Sequence, residues 1–129
     1  MNVLVGSKEI TLRRNIAYAV NGLGGRVVTT GKSSLFLVEV LEQDFDLAIL
    51  DTEMEGMDGQ ETFRILRQMR PKLPLLYLYR ENEDLSDRVQ AVDRQVVTLK
   101  RIATETELVQ AVETLASESV KGNVGPSRW

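Results

Sequence analysis

Short apolar runs alternate with helix-spaced apolar positions along most of the chain. The runs NVLV (2–5), RVVTT (26–30), DLAIL (46–50), LPLLYLY (73–79) and QVVTL (95–99) read as strands. They largely lack polar alternation, as strands do in a parallel sheet covered on both faces. Between them, Leu12, Ile16, Ala19, Val20 and Leu23 recur at the spacing of one helical stripe. Leu35, Val38 and Leu41 do the same, followed by Phe63, Leu66 and Met69, then Leu85, Val89 and Val92, and last Leu108, Val112 and Leu115.

The punctuation agrees with these periods. DGQE (58–61) and TETE (104–107) have the form of capping boxes, an N-cap oxygen with a glutamate three residues on. Ser33 or Ser34 reads as the N-cap of the second helix. Gly24 and Gly25 can end the first helix in the left-handed conformation, and Pro71 and Pro74 keep the third helix out of the fourth strand. Five β-α units with right-handed crossovers make an α/β doubly wound parallel sheet, a three-layer αβα sandwich. The pattern occupies residues 1–119. Residues 120–129, which include GNVGPSRW, read as a flexible tail or the start of a linker, with Trp129 incidental to it.

Composition narrows the chemistry. At 129 residues the chain can close a core of its own, and 43% hydrophobic with 27% charged residues is ordinary for a soluble domain. A net charge of -3 offers no basic face for nucleic acid. With no cysteine and no histidine there is no disulfide framework, thiolate site, Ser-His-Asp triad or zinc enzyme to look for. The amino terminus has no basic leader before an apolar stretch, and no run is long enough to span a bilayer, so a cytoplasmic protein without membrane contact is expected.

One stretch raises a chemical question. LAILDTEMEGMDG (47–59) ends an apolar strand on Asp51 and follows it with Glu53, Glu55 and Asp58. Asp58 is accounted for as a cap, and Glu53 and Glu55 read as loop residues. Asp51 stands at the carboxyl end of the third strand, where ligands meet an open parallel sheet. GSKE (6–9) and Lys100 share that rim. A phosphate loop in GGRVVTTGKSS (24–34) is rejected: its spacing is one residue too long, Arg26 replaces a glycine, and a strand runs through it.

The block LDTEMEGMDG, Gly24 with GGRVV, and TLK at the end of the fifth strand together resemble the receiver domain of two-component response regulators, over roughly residues 2–118. The resemblance implies a flavodoxin-like strand order 2-1-3-4-5. It places Asp51 at the position whose carboxylate takes a phosphoryl group from a histidine kinase. It also implies Mg²⁺, held by an acidic pair after the first strand, by the acceptor and by the backbone carbonyl at the Glu53 position. A Thr or Ser ending the fourth strand and a Lys ending the fifth, here Lys100, would bind the phosphoryl oxygens.

Several positions depart from that pattern. Ser7 and Lys8 stand where the family has its acidic pair, and an ammonium repels Mg²⁺ instead of ligating it. Tyr79 replaces the Thr or Ser, Arg80 the small residue after it, and Arg101 the proline after the lysine. Val97 takes the aromatic switch position, with Tyr79 expected to fill the space it leaves. Only Asp51 and Lys100 match the quintet. Lys8, Lys100 and Arg80 are then expected to hold Asp51 as an ion pair, Lys8 taking the metal's place, while Glu9 points elsewhere on the rim.

The expected function is a phosphorylation-independent pseudo-receiver, not an enzyme and without a cofactor or metal. It would act through contacts with a sensor kinase or an output protein, or as a homodimer, through residues 84–118. The alternative is a working phospho-acceptor with a weakened Mg²⁺ site. A small-molecule binder is a third reading, opposed by the lack of a glycine-rich phosphate loop and of an aromatic stacking pair at the rim.

Overall fold

The computed structural model describes the backbone of residues 1–83, 96–101 and 103–124, and side chains as far as Ser117. Five strands form one sheet: β1 (Asn2–Gly6), β2 (Arg26–Thr30), β3 (Leu47–Asp51), β4 (Leu75–Tyr79) and β5 (Val96–Lys100). All neighbours pair in parallel, in the order β2-β1-β3-β4-β5. The described helices are α1 (Ile10–Gly22), α2 (Ser33–Glu42), α3 (Gly59–Met69) and α4 (Glu105–Val124). The helix expected from Leu85, Val89 and Val92 lies outside the described residues.

The sheet divides the core in two because successive side chains of a strand point to opposite faces. Val3, Val5, Leu47, Ile49, Leu76 and Leu78 pack under α1 and α4, against Ile16, Val20, Val112 and Leu115. Leu4, Ala48, Leu50, Leu75 and Tyr77 pack under α2 and α3, against Phe36, Val40, Phe63 and Leu66. Strand β3 is buried along its whole length, which explains its unbroken apolar character. Tyr79 belongs to the α2–α3 face and Val97 to the other. Tyr79 therefore does not fill the space beside Val97; the parity of the two strands keeps them apart.

Helix ends follow the expected chemistry with two exceptions. Gly24, at φ 81°, closes α1, and its N–H donates to the Asn21 carbonyl. Asp58 accepts from the Glu61 N–H at 2.9 Å. Thr104 and Glu107 make the reciprocal pair of a capping box, at 3.2 Å and 3.1 Å. At α2, however, Lys32 is the N-cap, and no side chain caps it. Ser33 lies inside the helix and is committed elsewhere, as described below. α4 runs to Val124, past the expected tail boundary at 120, since no strong breaker stands between Leu115 and Lys121.

One expected stripe faces outward. Leu35, Val38 and Leu41 are 50%, 43% and 63% exposed, while Phe36 and Val40 are buried. Helix α2 (SSLFLVEVLE) is apolar around most of its circumference, so two stripes satisfied the helical spacing, and only packing against the sheet chose between them.

Candidate functional site

The carboxyl ends of β1, β3, β4 and β5 gather at one rim, and register places Gly6 beside Leu50, Asp51 beside Leu78 and Tyr79 beside Lys100. Asp51 is the last residue of β3 and is fully buried. Gly59 lets the start of α3 approach it: a Cβ there would collide with the Asp51 carbonyl oxygen. The Gly59 N–H instead donates to the Thr52 carbonyl at 2.9 Å.

Both carboxylate oxygens of Asp51 are engaged. Ser7 Oγ donates to Oδ2 at 2.7 Å, and Ser7 is itself fully buried. Arg101 Nε donates to Oδ1 at 2.6 Å and Nη2 to Oδ2 at 3.2 Å, a two-point grip from the residue just past β5. Arg101 Nη2 also pairs with Glu9 Oε1 at 2.8 Å. Burial works against the charge of Arg101, but its bonds to Asp51 and then Glu9 outweigh it and hold the guanidinium pKa above its ordinary value. The Glu9 backbone N–H donates to Ser7 Oγ at 3.1 Å, closing a ring of four residues.

The expected cations are spent one layer further out. Lys8 Nζ lies 3.8 Å from Glu53, and Arg80 Nη1 pairs with the same carboxylate at 2.8 Å. Lys100 pairs with Glu81 at 3.4 Å. None of the three holds Asp51. That place belongs to Arg101, whose long fork reaches back over β4 from the β5 end, while the Lys8 side chain goes to Glu53, whose carbonyl also accepts the Lys8 N–H at 2.8 Å. Glu9, expected to point away, faces the site through Arg101. Among the described residues no three carboxylates converge on one point.

The acidic loop after Asp51 is fastened by backbone bonds, Ser33 N–H to the Glu55 carbonyl and Glu55 N–H to the Gly31 carbonyl at 2.9 Å each, and by a hydroxyl. Ser33 Oγ donates to the Glu55 carbonyl at 3.2 Å and accepts from the Met57 N–H at 2.9 Å. Met54 is buried in the core of the α2–α3 face. A second polar knot lies below β4. Tyr77 Oη donates to Glu83 Oε2 at 2.6 Å, Gln60 Nε2 donates to the same oxygen at 2.8 Å, and the Arg80 N–H donates to Oε1 at 3.3 Å. Burial, then the bond to Glu83, pushes the Tyr77 hydroxyl pKa up. Burial opposes ionisation of Glu83, but hydrogen bonds from Thr52, Tyr77, Gln60 and Arg80 together hold its carboxyl below the ordinary range.

Sequence reasoning thus located Asp51 and its rim but missed Arg101, Glu9, Ser33 and Glu83 as partners. A signal was present for Arg101: a second cation directly after Lys100, on the rim that holds Asp51.

A parallel sheet in this order, with an aspartate buried at the end of its third strand and a lysine ending its fifth, defines a receiver. The family model for the response regulator receiver domain matches residues 3–113, and the chain belongs to that family. It is similar to the KDP operon transcriptional regulatory protein KdpE of Escherichia coli K12, with 35% identity over 92 residues, 71% of this chain and 40% of that protein. It is also similar to the transcriptional regulatory protein ZraR of Escherichia coli K12, with 24% identity over 98% of this chain and 32% of that protein. The chain therefore spans two fifths or less of the length of these relatives. Among solved structures, the chemotaxis response regulator CheY4 of Vibrio cholerae superimposes with a TM-score of 0.78 at 21% identity, covering 88% of this chain and 97% of that one. The N-terminal domain of a response regulator/sensory box/GGDEF protein of Carboxydothermus hydrogenoformans does so at 0.79 and 24% identity, covering 96% and 99%.

Proposed function

We propose that this receiver works without phosphoryl transfer to Asp51 and serves as a protein-interaction module, not an enzyme, in signal transduction. The observation that carries this reading is the two-point pairing of Asp51 with Arg101. Phosphoryl transfer requires a carboxylate oxygen free for in-line attack and a cation on the equatorial oxygens of the incoming group. Here the attacking oxygens are already bonded, and the charge that pairs them is a guanidinium that does not deprotonate in proteins. The donor set does not suit Mg²⁺ either. Ser7 and Lys8 replace the acidic pair, and the Glu53 carbonyl already accepts the Lys8 N–H. Arg101 is thus a resident counter-ion that holds one arrangement of the rim.

The partners in this reading are a sensor kinase or an output protein, met through residues 84–118, of which 84–95 lie outside the described residues. KdpE and ZraR are transcriptional regulatory proteins by name, which supports a transcriptional output protein as the partner. The deciding experiment adds Mg²⁺ with beryllofluoride or acetyl phosphate and reads mass and amide spectra. No adduct and no shift are expected. An adduct that disappears in Asp51→Asn would establish the alternative, a phospho-acceptor with a weakened metal site.

A further inference from the structure

The outward stripe of α2 is not explained by the fold. Leu35, Val38 and Leu41 lie on its solvent side, while the neighbouring α3 exposes Arg64 and Gln68. A surface helix ordinarily turns polar residues to water. The charges at the two ends of the stripe differ in sign. Lys32 precedes the helix, and Glu42 and Asp44 follow Leu41. Among the described residues, none of these three side chains makes an ion pair or a hydrogen bond.

We infer that the α2 face is a self-complementary contact for a second copy of this chain, made by two antiparallel α2 helices across a two-fold axis at Val38. A two-fold contact requires each patch to match itself reversed. With Val38 on the axis, Leu35 of one copy meets Leu41 of the other. Lys32 then meets Asp44, and Ser34 meets Glu42. A partner of uniform charge would be repelled at one end of this stripe; a reversed copy is attracted at both. The contact uses one helix per copy, below the roughly 1,600 Å² of a standard interface, so the dimer is weak and concentration-dependent. It lies on the opposite face of the sheet from α4.

Sedimentation velocity from about 10 μM to about 1 mM spans the affinities a contact of this size supports. Weight-average mass should rise toward that of a dimer. Val38→Asp and, independently, Leu41→Glu should abolish the rise with circular dichroism unchanged, because both positions are exposed. Lys32→Glu should weaken association about ten-fold, since two exposed pairs become repulsive. Adding Asp44→Lys to it should restore the dimer. A monomer at every concentration, a dimer indifferent to Val38→Asp, or a charge exchange that fails to restore association would each overturn the inference.

Discussion

Asp51 and Arg101, fifty residues apart in sequence, meet at 2.6 Å between the ends of β3 and β5, with the β4 end between them. The carboxylate is fully buried, and the arginine side chain is 17% exposed. Their energetic relationship is asymmetric: an enclosed ion pair adds little over an apolar pair of the same shape, but a lone buried charge is costly.

Removing one partner should therefore be worse than removing both charges. Arg101→Met is expected to destabilise by ~3 kcal/mol, at the low end for a broken buried pair because the site lies on the rim. Asp51→Asn in the same chain should recover most of that loss. Urea melts of the two single variants and the double variant measure the coupling directly.

If the guanidinium and the missing acids together exclude Mg²⁺, reversing them should admit it. Ser7→Asp, Lys8→Asp and Arg101→Ala combined are expected to confer binding of Mg²⁺ at millimolar concentrations, seen as amide shifts at the rim, whereas the natural chain shows none. A triple variant still blind to Mg²⁺ would place the obstacle elsewhere than in these three side chains.

Ser33 joins the loop after β3 to the start of α2 through its hydroxyl as well as its backbone N–H, and it is 3% exposed. Ser33→Ala leaves the Met57 N–H without its acceptor, at a cost of about 1–3 kcal/mol. Hydrogen exchange should show the change at Met57 before it shows in the strands.

The knot below β4 gives stability a pH dependence of definite sign. Glu83 has a folded pKa below its unfolded one. Its contribution is complete above about pH 4.3, the ordinary glutamate value, and is lost as pH falls through the folded value. Tyr77 is shifted the other way, so its contribution is complete below about pH 10 and is lost as pH rises beyond it. Thermal melts should fall on both flanks. Glu83→Gln is expected to flatten the acid limb and Tyr77→Phe the alkaline one.

At the last helix, Thr104→Ala removes the acceptor for the Glu107 N–H and should cost about 1 kcal/mol. Thr104→Asp keeps an acceptor in place and should restore most of it.

The strands were legible because a doubly covered parallel sheet admits only apolar runs, and the rim followed from where those runs end. Asp51 was found in that way. Its partner was not, because contiguity in sequence says which residues share a rim but not which way long side chains turn. Lys8, Arg80, Lys100 and Arg101 were all within reach by that criterion. Their pairing depends on Glu53, which draws Lys8 and Arg80, on Glu81, which draws Lys100, and on the reach of Arg101 to Asp51. Helix α2 failed differently: Phe36 and Val40 were as apolar as Leu35 and Val38, so periodicity alone had no means of telling inside from outside.

The closure around Asp51 also limits what genetics can learn there. Replacing an acceptor aspartate by glutamate is a familiar way to imitate a phosphorylated state. In this chain the extra methylene would enter a fully enclosed space whose two oxygens already point at Ser7 and Arg101. Overpacking of that kind costs about 1–3 kcal/mol and displaces the arginine. An Asp51→Glu phenotype would therefore carry the effect of a displaced counter-ion, whatever else the substitution imitates.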